Sequence, residues 1–482
     1  MLLLFVLAGP VLAEDAVEAA ARKNFGEYLE LLSIPNVAAV PADTRRNAAL
    51  LRKMFEKRGF AVKLLDDPAG RPLVFAELPG PAAKTVLFYI HFDGQPVIPE
   101  EWAQGSPFRP VVKKNGHEVN PKQLFAQPLD PELRVFARSA SDDKGPIVMF
   151  LSAVDALADE KPAVHVKVIL DGEEEISSPS LAGVIERDRA LFAAGGLVIL
   201  DGPVHASGKP TVVFGNRGIT QATLTVYGPK VPLHSGHFGN YAPNPAMRLA
   251  RLLASMKGDD GRVLIPGYYD SVHLSDEDRA VLARTGDDEA GLTRRTGVAR
   301  AEKGFANYQE ALQYPSLNVR GLSGGATGAK AANIVPSEAV AEIDMRTVPE
   351  TDGRRLFELL RKHIETQGYH LVEGAPTDED RARYDKLASL SLGPVQAAER
   401  MPMDSPIGRW ATAALGDPVR IRMMGGTVPT DVLVNALKLP FVLVPTVNPD
   451  NNQHSHDENL RIGNFLSGTR TMLQLLTTPW PP

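Results

Sequence analysis

Four short apolar runs in this chain each lead into a side chain that can bind a metal ion, and a tight polar turn supplies further candidates. The runs are TVLFYI before His91, VHVKVIL before Glu173-Glu174-Glu175, LVIL before Asp201, and FVLV shortly before His454. The turn is SASDDKGP, which carries Asp142 and Asp143. Apolar runs of this length between polar turns read as buried strands of an open α/β sheet. Such sheets gather their functional groups in the crevice outside the carboxyl ends of the strands. Two histidines and several carboxylates, far apart in sequence, are therefore expected in one place, the grouping a two-metal hydrolase would need.

At 482 residues the chain exceeds one ordinary hydrophobic core, so two domains are expected. A net charge of −6 gives no reason to expect nucleic acid or an anionic membrane as partner. The absence of cysteine excludes disulfides and thiolate metal sites, leaving oxygen and imidazole as ligands. The opening residues, MLLLFVLAGPVLAED, read as a signal peptide over 1–13. Leu2 to Leu7 form its apolar stretch, Gly9-Pro10 breaks it, and Val11-Leu12-Ala13 offers a small-residue cleavage site. The basic residues that usually open such a segment are missing, and a buried N-terminal helix or strand is the alternative. The signal reading predicts an exported protein, periplasmic or secreted. No other segment approaches the length of a transmembrane helix.

The pattern along the chain is that of helices and strands in alternation. Helices are expected over 16–32 and 45–58, then strands over 61–65, 73–78 and 85–90. A helix over about 146–158 and strands over 164–170 and 197–200 follow. Residues 100–131, rich in Pro, Gly and polar side chains, read as a long surface excursion, either a functional loop or an inert insertion. The periodicity changes near Arg217: Thr220–Tyr227 and Ala339–Met345 alternate as half-exposed strands, with helices over 245–256 and 354–366 and a strand over 369–372. The first pattern returns with a helix over 406–414, a strand over 441–444 and a last helix over about 462–476. The expected fold is thus α/β: a catalytic domain with a mixed, mainly parallel sheet flanked by helices, interrupted by a smaller α+β lid or dimerisation domain. The boundaries are 14–218 and 396–482 for the catalytic domain and 219–395 for the insertion.

Each polar cluster has a bland reading beside its chemical one. In H-x-D, His91 can bind metal while Asp93 accepts its other ring N–H, but a strand-end histidine can also simply cap a turn. Asp suits a helix N-cap, yet capping explains one of Asp142 and Asp143, not both, and adjacent carboxylates repel unless a cation compensates. Glu173-Glu174-Glu175 could supply a metal ligand and a neighbouring base, or be a solvated acidic loop. Asp201, before Gly202-Pro203, also suits turn initiation. In Gln453-His454-Ser455-His456 either histidine could be a ligand.

Taken in order, these segments resemble the di-zinc family that includes carnosinase-type dipeptidases, glutamate carboxypeptidases, aminoacylases and acetylornithine deacetylases. The resemblance runs from about Phe25 to the C-terminus. It rests on HFDGQP (91–96), RSASDDKGP (138–146), DGEEEISS (171–178), LDGP (200–203), GNRGI (215–219) and LHSGHFGN (233–240). PGYYD (266–270), ANIVP (332–336), DMRTVP (344–349), GGTVP (425–429) and QHSHDE (453–458) complete it.

Carried across position by position, the resemblance implies a ligand set of His91, Asp142, Glu175, Asp201 and His454 for two divalent ions. Zinc is favoured, with manganese or cobalt as substitutes. Asp142 would be shared, with a cis peptide bond to Asp143, and Asp93 would orient His91. Glu174 would be the general base toward a water activated between the ions, the third acid leaving that register open by one residue. His234 would support the developing oxyanion, supplied in dimeric members by the partner subunit. Arg346, with Asn333 and the Gly425-Gly426-Thr427 turn, would hold a substrate carboxylate. Two departures stand out: Ser139 and Ser177 occupy positions where the family usually has glycine.

The implied activity is metal-dependent hydrolysis of a peptide bond in a dipeptide or short peptide with a free C-terminal carboxylate. An N-acyl-amino-acid deacylase is the alternative enzyme, and a non-catalytic peptide-binding protein the alternative of another class. A phosphoesterase lacks a basic phosphate-binding cluster near these residues. The expected partners are a small peptide or N-acyl amino acid and, through the insertion, a second copy of the chain.

Overall fold

The computed structural model describes residues 10–66, 70–80, 84–120 and 129–480. The chain divides into two compact units, one comprising residues up to 215 with 401–422 and 428–480, the other 216–400 with 423–427. Residues 423–427 therefore group with the inserted unit, not with the C-terminal catalytic part where the boundary at 396 had put them. The cause is local: Arg217 N–H donates to the Met424 carbonyl at 3.2 Å, and the Thr427 hydroxyl donates to the Arg217 carbonyl at 2.8 Å.

The first unit is built on an eight-stranded mixed sheet in the order 61–65, 73–78, 165–171, 85–91, 196–199, 441–443, 211–213, 419–421. The four central strands, 165–171, 85–91, 196–199 and 441–443, run parallel. Being covered on both faces, they are mainly apolar, Lys167 being the exception inside strand 165–171, which is why they read as runs rather than alternations. Antiparallel pairing enters toward the edges, at 73–78 and at 211–213. Helix Lys144–Ala156 is buried from Lys144 to Ala153 and packs between helices Pro10–Ser33 and Ile462–Thr477. Phe25, Tyr28, Leu31 and Leu32 lie on one face of helix Pro10–Ser33 at helical spacing and enter this core.

Two expectations change here. Val11-Leu12-Ala13, read as a cleavage site, lie inside helix Pro10–Ser33, while residues 1–9 of the expected signal lie outside the described residues. No described helix is long and apolar enough to cross a membrane. The excursion over 100–131, read as a surface loop, supplies strands 111–114 and 117–119 to a small antiparallel sheet in the order 459–461, 134–136, 111–114, 117–119. The edge strand Asn459–Arg461 comes immediately after the segment that carries His454 and pairs with strand 134–136, so this sheet braces that segment.

The inserted unit has a five-stranded sheet in the order 316–323, 338–347, 218–227, 387–396, 370–371, antiparallel except at the last pair. Strands Gly218–Tyr227 and Glu338–Thr347 alternate in burial along their length. Their inner residues, among them Leu224, Ala341 and Ile343, pack under helices Pro245–Ala254 and Gly353–Thr366 through Leu249, Leu252, Phe357 and Leu360. Asn244 and Asp352 start these helices, each side chain accepting a backbone N–H from the first turn.

Candidate metal centre

The parallel strands put their carboxyl ends on one edge of the sheet. His91 closes strand 85–91, Glu174 and Glu175 follow strand 165–171, Asp201 follows strand 196–199, and His454 lies in the segment after strand 441–443. Asp142 arrives from the turn before helix Lys144–Ala156. One ligand atom each from His91, Asp142 and Asp201 lie within 4.8 Å of one another, and so do atoms from Asp142, Glu175 and His454. Asp142 belongs to both groups through different oxygens. Its Oδ1 is 2.9 Å from His91 Nε2 and its Oδ2 is 3.1 Å from His454 Nε2. His454 Nε2 is also 3.4 Å from Glu175 Oε2.

The surrounding contacts separate the neighbouring acids. The peptide bond between Asp142 and Asp143 is cis. Asp143 stands at the N-cap position of helix Lys144–Ala156 but its side chain makes no capping bond; its Oδ2 instead accepts from His91 N–H at 3.4 Å. Asp93 faces His91 Nδ1 at 3.3 Å, and its carboxylate also accepts the backbone N–H groups of Glu174 (3.1 Å) and Glu175 (2.9 Å). One side chain thus fixes both the imidazole and the acidic loop. Glu173 turns the other way: its Oε1 is 2.5 Å from Arg71 Nε, and its Oε2 accepts from Ser180 N–H. Glu175 is therefore the acid of this cluster that joins the ligand group. His456 stays outside both groups, 3.8 Å from Glu101.

The electrostatics are those of a site built for cations. Burial pushes the Glu175 carboxyl up to about 8 and Asp201 to about 6, with the Asp142 charge adding to both. Glu174 is also raised well above the carboxylate range, first by burial and then by Asp201 and Glu175. Burial would raise Asp142 as well, but bonds to His454 and His91 hold it well below its ordinary value. His454 is pushed up to about 9, chiefly by its hydrogen bond to Asp142. Acids that repel one another this strongly, set among imidazoles and oxygen donors without a thiolate, match the donor chemistry of zinc and similar divalent ions.

The glycine positions taken by serine keep the glycine conformation. Ser139 has φ 60° and Ser177 has φ 70°, both left-handed. Gln95, which the sequence reading passed over although it lies in HFDGQP, donates to Glu175 Oε2 at 2.7 Å.

The remaining candidates lie in the inserted unit, in two places. His234 pairs in register with Ile334, and Ser235 N–H donates to the Asn333 carbonyl at 2.9 Å, so His234 and Asn333 sit together. The His234 Nδ1 accepts from Gly236 N–H at 3.0 Å, which puts the proton of the neutral ring on Nε2. Arg346, in contrast, donates from Nη1 to the Thr427 hydroxyl at 2.7 Å, beside the Gly425-Gly426 turn. Arg217, another residue passed over within a quoted motif, lies under this group. It is buried and donates to the Tyr314 carbonyl; burial and the Arg346 charge lower it to about 10.

Residues 214–371 match the peptidase dimerisation domain of M20 type. The chain is 27% identical over 430 residues to the Cys-Gly metallodipeptidase dug1 of Schizosaccharomyces pombe, covering 86% of this chain and 84% of that protein. It is 27% identical over 415 residues to the Beta-Ala-His dipeptidase of Mus musculus, covering 83% and 78%. Among solved structures, the M20 family metallo-carboxypeptidase Sso-CP2 of Sulfolobus solfataricus superposes with a TM-score of 0.75 at 27% identity, covering 94% and 98%. The similarity to the fungal Cys-Gly metallodipeptidases overturns the expectation of an exported protein. In sequence, in fold and in the composition of the strand-end cluster, the chain is similar to the M20 metallopeptidases, and it resembles the carnosinase-type dipeptidases among its relatives.

Proposed function

We propose that this chain is a metal-dependent dipeptidase that hydrolyses the peptide bond of a dipeptide or short peptide bearing a free C-terminal carboxylate. The observation that carries the reading is the double use of Asp142, whose two oxygens face two histidines in two overlapping ligand groups. His91, Asp142 and Asp201 would hold one divalent ion, and Asp142, Glu175 and His454 the other, zinc fitting the donor set. When bound, such ions supply Lewis-acid polarisation of a carbonyl and a water acidic enough to be a nucleophile near neutral pH.

The chain's own residues do the rest. Glu174 is pinned through its backbone by Asp93, and its carboxyl has the raised proton affinity a general base needs. It takes the proton of the attacking water and returns it to the leaving amine. Arg346 offers a planar fork to the substrate carboxylate, with Thr427 fixing one arm of that fork and Asn333 and the Gly425-Gly426 turn as further contacts. His234, with its ring proton on Nε2, is suited to donate to a developing oxyanion.

The position of His234 bears on assembly. It lies next to the residues that lead into strand Glu338–Thr347, whereas Arg346 lies near the far end of that strand. Eight strand residues span roughly 27 Å, while a dipeptide spans about 7 Å. One chain's His234 and Arg346 therefore serve different substrates, and the reading is a homodimer in which His234 of the partner subunit completes each site.

Purified protein loaded with zinc should release amino acids from a dipeptide panel and leave acetyl- and succinyl-amino acids intact. Release from the acylated compounds alone would replace the dipeptidase with a deacylase. Glu174→Ala should abolish turnover with metal content unchanged; wild-type protein that binds peptides without cleaving them would leave only a binding protein.

A further inference from the structure

Glu458 follows His454 by four positions, and its side chain is fully buried. Its Oε1 accepts from Ser141 N–H, Ser141 Oγ and Asp142 N–H, each at 3.0 Å. Its Oε2 accepts from Ser139 N–H at 2.9 Å and Arg138 Nη1 at 2.8 Å. A carboxylate has about four lone-pair directions, so these donors saturate it. All of them belong to the single turn that carries Asp142. The backbone on the other side is fixed too: the Glu458 carbonyl accepts from Ala137 N–H, and strand Asn459–Arg461 pairs with strand Arg134–Phe136.

His454 has little else to hold it. Its side chain is 58% exposed and its φ is 61°, so neither packing nor regular backbone sets its direction. The segment carrying it must be held from its ends, and at one end the holding group is Glu458. We propose that Glu458 is a positioning residue: it clamps the segment bearing His454 to the turn bearing Asp142 and so sets the metal affinity of the Asp142–Glu175–His454 group. This rests on the two-metal reading above. The effect is graded between the two groups. Asp142 and His454 both sit on the elements Glu458 joins, whereas in the other group only Asp142 does, His91 and Asp201 being held at the ends of buried strands. A Glu458 that served only as the buried ion partner of Arg138 would steady the fold without distinguishing the two groups.

The test is zinc binding by the metal-stripped full chain in competition with a chelator, comparing wild type with Glu458→Gln. The substitution keeps the size of the side chain but turns an NH2 toward backbone donors. It is read in two backgrounds, His91→Ala and His454→Ala, each leaving one ligand group whole or nearly so. In the His91→Ala background Glu458→Gln should weaken the remaining ion about 10–100-fold, the range for groups that orient metal ligands. In the His454→Ala background, where Asp142 is the one remaining ligand on an element that Glu458 joins, the loss should be clearly smaller. Equal losses in both backgrounds, or none in either, would overturn the clamp. If Glu458→Gln does not fold, Ser141→Ala, which removes one donor to the carboxylate, decides by the same rule with a smaller loss. A wild-type chain that takes up no zinc would instead remove the two-metal reading, and the clamp with it.

Discussion

In the α/β unit, side chains drawn from residues 91 to 454 meet within a few ångströms, while in the inserted unit the candidate substrate groups divide between two ends of one strand. The difference follows from sheet architecture. Parallel strands start from the same side, so every strand end delivers its next residue to the same edge, whatever the separation in sequence. An antiparallel sheet sends successive strand ends to opposite edges. The first arrangement can build a buried, strongly interacting cluster within one chain. The second presents two separate and more exposed groups, each fit to act on something brought to it.

The sharpest way to break this comparison is Asp142→Asn. Asp142 is the one residue common to both ligand groups, so its loss should lower bound metal from two ions toward none and take hydrolysis to background. Metal analysis of the folded variant checks it; retention of both ions would mean that the two groups are not coupled through Asp142.

The inserted unit should behave differently, because its groups can be recombined. His234→Ala and Arg346→Ala should each lower kcat/KM about 100-fold or more when alone, the usual loss for an oxyanion donor in the first case and for one partner of a hydrogen-bonded charge pair in the second. Mixed and re-paired, the two variants should recover about a quarter of wild-type activity. Half of randomly paired dimers are mixed, and each of those carries one intact site and one doubly damaged site. No recovery on mixing would place His234 and Arg346 in the service of the same chain's site.

The strand-end residues were legible because a buried parallel strand stays apolar until the sheet ends, and the first polar residue marks that edge. His91 and Asp201 follow this rule directly, and Glu175 follows four residues after strand 165–171. His454 does not, since its segment is irregular, and only the ordered resemblance singled it out from His456. The small sheet formed by strands 111–114, 117–119 and 134–136, which braces the His454 segment, was not legible. These strands are three or four residues long, too short for a periodicity, and their partner strand Asn459–Arg461 is remote in sequence. Edge strand Ser316–Ser323 was missed for a related reason: it is mostly exposed and carries few apolar residues. Nor could composition show that residues 423–427 join the inserted unit, because that depends on backbone bonds to Arg217.

The metal-ligand cluster should also carry a pH signature. Glu175 is raised to about 8 and His454 to about 9 in the folded chain without metal. Over the interval between their ordinary values and these, the folded state holds more protons than the unfolded state. Stability of the metal-free chain is therefore fullest below the unfolded pKa values and is lost as pH rises through the folded ones. Its Tm should fall between about pH 6 and pH 9, while zinc affinity rises over the same range as protons leave the ligands. Calorimetric titration in buffers of different ionisation heat should register proton release on zinc binding; none would mean that the ligands are already deprotonated.

The smallest effect concerns two serines at left-handed positions where the family usually has glycine. A non-glycine residue there costs roughly 1–2 kcal/mol, and glycine returns about 0.5–1 kcal/mol of that through the entropy of the unfolded chain. Ser177 is exposed, so Ser177→Gly should stabilise the protein by the balance, about 0.5–1 kcal/mol, with kcat unchanged. Ser139 has the same backbone strain but is buried, and its hydroxyl accepts from Asn36 at 2.8 Å and donates to the Asp93 carbonyl at 3.3 Å. Removing it leaves one buried N–H of the Asn36 amide without its partner, the other still donating to the Phe92 carbonyl, a loss of about 1–3 kcal/mol that exceeds the relief. Chemical denaturation of the two variants should thus move in opposite directions, Ser177→Gly up and Ser139→Gly down. A shift of the same sign in both would mean that backbone strain, not the hydrogen bonding beside Asp93, governs the loops around the metal ligands.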